Sequence, residues 1–140
     1  MSGINLGRVI GGGLLAGLII NISEFILNGV LLAQQMEAAM RSLNRPPIDN
    51  QMIVWFVVLG FALGIVTVWL YAAIRPPFGP GVRTAVCAAL TIWFLAYLYS
   101  NAAMAIMQLF PRRLLLVSTV WGLFEIVIAA VAGAWLYSEA

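Results

Sequence analysis

The charged residues of this chain are spaced so as to leave four long stretches almost free of charge. Arg8 comes first and Glu24 second, and Glu37, Arg41, Arg45 and Asp49 then fall together. Residues 50–74 carry no charge, nor do residues 84–111, and after Arg112 and Arg113 only Glu125 and Glu139 remain. A helix needs about 20 apolar residues to cross the hydrocarbon of a bilayer. The gaps therefore predict four spans, at about residues 9–34, 52–74, 84–109 and 114–137. In lipid the backbone must satisfy its own hydrogen bonds, which leaves helices or a closed barrel. Barrel strands alternate in polarity, and runs such as residues 53–59 and 114–117 do not alternate. The expected fold class is all-α, a polytopic membrane protein of one domain over residues 1–140.

The connections are short. Residues 36–43 read as helix continuing past the first span, and Arg-Pro-Pro at 45–47 stops it, since proline cannot continue a helix. A second Arg-Pro-Pro, at 75–77, is read as the stop of the second span, and the third connection is little more than residues 110–113. Such connections make successive helices antiparallel neighbours, an up-down-up-down bundle. Trp55, Phe56, Trp69, Tyr71, Trp135 and Tyr137 lie near span ends, where amphipathic rings form belts at the headgroups. Trp93 and Trp121 lie too deep for a belt and are expected between helices.

On a 3.6-residue wheel every span shows one small or polar stripe. In the first it is Gly13, Gly17, Asn21, Glu24 and Asn28, continued by Gln35. In the second it is Gly60, Gly64, Thr67 and Tyr71; in the third, Ala85, Ala89, Ala96, Ser100 and Ala103; in the fourth, Ser118, Gly122, Glu125, Ala129 and Gly133. Small residues let helix backbones approach closely, the main packing device in lipid. Gly13, Gly17, Gly60, Gly64, Gly122 and Gly133 are accordingly read as packing positions, with the stripes turned inward.

Glu24 and Glu125 require an explanation, because a carboxylate at bilayer depth costs roughly 2.5–3.5 kcal/mol even on the gentlest scale. No arginine lies within a span to pair with either. Glu24 lies about three residues past the middle of its span, a displacement of about 4–5 Å, and Glu125 lies near the middle of its own. Asn101 is displaced to the same side, and Asn21 and Asn28 bracket that level. The expectation is one cluster of Glu24, Glu125, Asn21, Asn28 and Asn101. It serves either as interhelical glue or as a proton, cation or substrate site with a proton shared by the two acids.

Composition narrows the field further. Hydrophobic residues make up 64% of the chain and charged residues 9%, too few charges to cover a soluble globule. The first span is too long for the apolar region of a signal peptide and carries Asn21, Glu24 and Asn28. Cys87 is the single cysteine, so no internal disulfide forms, and there is no histidine. No cofactor, metal cluster or catalytic constellation is implied, and seven arginines divided between two faces make no nucleic-acid patch. Arg8, Arg75 and Arg83 mark one side and Arg41, Arg45, Arg112 and Arg113 the other. That near-balance sets orientation weakly; the termini are expected in the cytoplasm, and dual topology is permitted. The partners expected are the lipid bilayer and either further copies of the chain or a larger membrane complex.

The segments Asn21-Ile-Ser-Glu-Phe-Ile-Leu-Asn-Gly29, Trp69-Leu-Tyr-Ala-Ala-Ile-Arg-Pro-Pro-Phe-Gly-Pro-Gly81 and Trp121-Gly-Leu-Phe-Glu125 resemble a group of small bacterial four-helix membrane proteins of unknown function. The resemblance covers nearly the whole chain and implies the bacterial inner membrane. A looser likeness is to the small multidrug resistance transporters, which have four short helices and an essential glutamate in the first. By that analogy Glu24 takes the glutamate's place. The chain departs from those transporters in its second deep acid, Glu125, in its longer first connection, and in the residues around Glu24. Together these readings leave two functions: a structural or accessory subunit held together by its polar stripe, or a small proton-coupled transporter or channel using Glu24 and Glu125.

Overall fold

The computed structural model describes residues 3–139, with side chains as far as Tyr137. Four helices are long and apolar enough to cross a membrane: Leu6–Leu31, Asn50–Phe78, Val82–Ile106 and Arg112–Tyr137. The first span is α1 (Leu6–Ile26) followed by a π-helical stretch at Leu27–Leu31, and α2 (Ala33–Ser42) follows it. The second span is α3 (Asn50–Phe78). The third comprises α4 (Val82–Ile92), a π-helical stretch at Trp93–Leu98, and α5 (Tyr99–Ile106); the fourth is α6 (Arg112–Glu139). No strand occurs among the described residues, and the protein is an all-α bundle with the composition of a multi-pass membrane protein.

Local chemistry sets the helix ends. Asn5 caps α1 by accepting from the Arg8 N–H at 3.1 Å, and Asp49 caps α3 by accepting from the Met52 N–H at 2.9 Å; each satisfies one of the unpaired donors of a helix start. The stop expected at the second Arg-Pro-Pro is displaced. Pro76 and Pro77 lie inside the last turn of α3, which runs to Phe78 and ends at Gly79 with φ 86°. Each proline deprives the turn of one N–H donor, yet the helix continues past both, the Gly79 N–H closing on the Arg75 carbonyl at 2.7 Å, and the residue that turns the chain is that glycine in a positive-φ conformation.

α1 and α4 each pack against both α3 and α6, which also touch one another. Backbones meet at glycines. Gly64 of α3 lies in the seam between Gly13 and Gly17 of α1, where an added Cβ would collide with the Gly17 N–H and stand 2.6 Å from the Gly13 carbonyl. On the other flank of α1, a Cβ on Gly12 would stand 2.6 Å from the Gly133 carbonyl of α6. Antiparallel register follows: residues 13, 17 and 21 of α1 meet 65, 61 and 57 of α3 in turn. Ala85, Ala88 and Ala89 of α4 are fully buried with Ile126, Ala129 and Ala130 of α6 in the same core.

Two departures from the wheel have one cause. A π-helical stretch carries an extra residue in its turn. In the third span burial passes from Ile92 to Tyr97, five residues on, so Ala96, expected on the stripe, is exposed. In the first span burial passes from Leu27 to Leu32, and Gln35 is exposed in place of continuing the face. The aromatic belts are corrected too. Trp55, Phe56, Trp69 and Trp135 are exposed, whereas Tyr71 and Tyr137 turn inward, edge to face with centroids 6.1 Å apart. Tyr71 accepts from the Gly81 N–H at 3.1 Å, and the Arg75 guanidinium lies 5.5 Å from the Tyr137 ring centroid.

Candidate functional site: a pair of buried acids

Because α1 and α6 run antiparallel, Glu24 and Glu125 meet across their seam with the two carboxyls within hydrogen-bonding reach of one another. Glu125 is 3% exposed and Glu24 is half-buried. Each acid holds a donor from a π-helical stretch. Asn28, one turn beyond Glu24, donates from Nδ2 to Glu24 Oε2 at 3.2 Å. Tyr97 donates from Oη to Glu125 Oε2 at 2.6 Å. The second oxygen of Glu125, Oε1, is buried and has no hydrogen-bond partner. Ser23, beside Glu125, accepts from the Trp121 indole N–H at 2.8 Å.

Tyr97 reaches the acid across a gap in α6. A Cβ at Gly122 would collide with the Tyr97 ring, so the missing side chain at 122 lets the phenol lie over α6 and meet Glu125 one turn on. Gly122 therefore packs against a side chain, whereas Gly13, Gly17 and Gly64 meet neighbouring backbone first and Gly133 meets both the Val68 side chain and the Gly12 carbonyl.

The five residues expected in one cluster divide among three places. Glu24, Glu125 and Asn28 are together. Asn21 lies in the α1–α3 seam, where Nδ2 donates to the Val57 carbonyl at 3.2 Å and the amide fills the space that a Cβ on Gly60 would take. Asn101 belongs to a separate node on α6. Its Nδ2 donates to Thr119 Oγ1 at 2.8 Å, Thr119 Oγ1 donates to the Leu115 carbonyl at 2.7 Å, and the Trp93 indole donates to the Thr119 carbonyl at 2.9 Å. Asn21 and Asn101 leave their helices towards other neighbours, Val57 and Thr119, the latter six residues from Glu125 on α6.

Sequence reasoning missed Tyr97, Ser23 and Thr119. A usable signal for Tyr97 was present: a tyrosine deep in a span needs a partner for its hydroxyl, and Gly122 one turn before Glu125 opens room for a ring beside the acid. The extra residue of the π-helical turn hid it, since a regular wheel puts Tyr97 off the stripe.

Two clefts lie elsewhere. One of about 670 Å³ between α4 and α6 is lined mainly by apolar residues including Val82, Ala85, Val131 and Trp135. One of about 310 Å³ lies between Ser42 and the third connection. Neither is lined by Glu24 or Glu125. Among the groups at the acid pair, the side chains supply two fixed donors, a buried acceptor without a donor, and no cation. Such an arrangement can lock three spans together and can take up a proton. No protein-family model, curated protein or solved structure matches this chain.

Proposed function

We propose that this chain is a structural or accessory subunit of a membrane assembly, its interior polar contacts fastening the four spans into a defined bundle. One observation carries the reading: interior polar side chains are hydrogen-bonded from one span to another. Asn21 joins the first span to the second, Trp121 the fourth to the first, and Tyr97, Trp93 and Asn101 the third to the fourth. Interhelical bonds of this kind contribute about 0.6 kcal/mol each on average and up to about 2, enough together to select one packing among several of similar apolar fit. On this reading the protein resides in a bacterial inner membrane, as the resemblance noted in the sequence implies, as one copy among several or within a larger complex, and its termini are read as cytoplasmic from the arginine distribution.

The second reading is a small proton-coupled transporter or channel, and the donorless Oε1 of Glu125 beside Glu24 is the observation that favours it. An intramembrane acid without a cation is a functional candidate by default. Glutamine variants separate the two readings, because glutamine retains most hydrogen bonding and lacks the titratable proton. The structural reading expects Glu24→Gln and Glu125→Gln to lower resistance to unfolding in detergent, and wild-type proteoliposomes to pass no more protons than empty vesicles. Stable variants that abolish a measured proton-driven flux would replace it with the transport reading.

A further inference from the structure

We propose that the Glu24–Glu125 pair is a binding site for a single proton, held between the two carboxyls with Tyr97 and Asn28 as fixed donors on either side. The inference goes beyond the structural reading and holds whether the bundle fastens an assembly or moves a solute.

The argument is a count of donors and acceptors. Glu125 is 3% exposed, and its two oxygens differ: Oε2 takes the Tyr97 hydroxyl proton at 2.6 Å, while Oε1 has no donor. An ionised carboxylate is an acceptor only, and a buried acceptor left unpaired costs about 1–3 kcal/mol, more when charged. Glu24 lies within hydrogen-bonding reach and carries its own donor, Asn28, on Oε2. Two carboxylates facing one another leave that position empty and place two negative charges side by side away from water. One proton cures both faults. It forms one O–H bond on either acid, donates to the other, and leaves a single negative charge that the Tyr97 and Asn28 donors share. A second proton would remove the remaining negative charge and leave the Tyr97 and Asn28 donors on two neutral acids, a weaker pairing than with a charged acceptor.

Among the described residues, the surroundings bring no positive side chain to the pair. α1 brings Glu24 to Glu125 and the third span brings Tyr97. From α3 the nearest charge is Arg75, which lies over the Tyr137 ring, twelve residues or about 18 Å farther along α6. Both π-helical stretches, rare elements that often mark functional sites, carry a donor to this pair: Asn28 in one and Tyr97 in the other. Glu24 and Asn28 are half-buried where Glu125 is enclosed. Ser23 is the one neutral donor able to turn towards Glu125, and its substitution is therefore included in the test.

The test is infrared spectroscopy of the purified full chain in lipid nanodiscs across mildly acid to mildly alkaline conditions. The expected result is a protonated-carboxyl C=O band at neutral pH with the amplitude of one group per chain. It should move on exchange into heavy water, persist in Ser23→Ala, shift in frequency in Tyr97→Phe and vanish in the Glu24→Gln/Glu125→Gln double variant. An amplitude of zero or of two groups in the wild type overturns the proposal, as does loss of the band in Ser23→Ala. A band unchanged in the double variant assigns the proton to another acid and overturns it equally. Should the double variant fail to fold, the wild-type amplitude and the Tyr97→Phe shift decide alone.

Discussion

The two halves of this bundle are built on different principles. Towards the termini, backbone meets backbone: Gly12 on Gly133, Gly64 between Gly13 and Gly17, and buried alanines from α4 on α6. Towards the first and third connections, the helices are held by directed polar bonds: Glu125 with Tyr97, Ser23 with Trp121, and Asn101 and Trp93 on Thr119. In the same half α3 turns its side chains outward and keeps a polar tie to α1 through the Val57 carbonyl. Every side chain from Ile53 to Leu59 is exposed, and α5 buries none. The first half spends its small residues on contact area, and the Tyr137 and Tyr71 hydroxyls add polar bonds at its end by accepting from the Asn5 and Gly81 N–H groups. The second half keeps an apolar cluster of Leu27, Leu32, Ala39 and Leu114, and its long polar side chains add bonds from helix to helix.

Substitutions should break the halves in different ways, and the largest effect is expected in the glycine half. Gly64→Val puts a Cβ into the α1 backbone, which cannot yield as a flexible side chain does; a loss of about 3 kcal/mol or more, at the top of the range for overpacking, should appear in reversible unfolding from detergent micelles. Next comes Glu125→Ala, which strands the Tyr97 hydroxyl in a buried site and should cost about 1–3 kcal/mol, with Glu125→Gln milder because its carbonyl still accepts. Asn101→Ala should cost about 0.6 kcal/mol, a loss confined to one node. The smallest effect is expected at Leu59→Ala, whose parent side chain is 62% exposed; within about 0.5 kcal/mol of wild type is the expectation for a position without contacts. A marked loss at Leu59 would instead show that this flank of α3 is covered by a second chain, and would sharpen the contrast between the halves.

How far the sequence reached follows the same division. Charge gaps and apolar lengths were enough to find four spans, because lipid constrains a helix strongly at both ends and along its length. The glycine seams were also readable, since a regular 3.6-residue period governs α1 as far as Glu24 and all of α3 and α6. The polar half was less readable. The π-helical turns at Leu27–Leu31 and Trp93–Leu98 shift the inward face by one residue, which takes Gln35 and Ala96 out and brings Tyr97 in. Nothing in the residues of either stretch announces the extra turn. Height in the membrane could be counted from span centres, but the partner of a polar side chain depends on its azimuth as well. For that reason Asn21 and Asn101, counted to the level of the acids, bond instead to Val57 and Thr119. The two prolines at 76 and 77 mislead because α3 runs on through them to Phe78 and stops at Gly79.

The account depends on Glu24 and Glu125 touching across the α1–α6 seam. A double-mutant cycle on unfolding stability, with wild type, Glu24→Gln, Glu125→Gln and both together, measures that contact directly. The predicted result is a coupling energy of at least about 0.5 kcal/mol, as for residues in one hydrogen-bonded network. Additivity within about 0.3 kcal/mol, as for distant sites, would mean that the two acids do not interact.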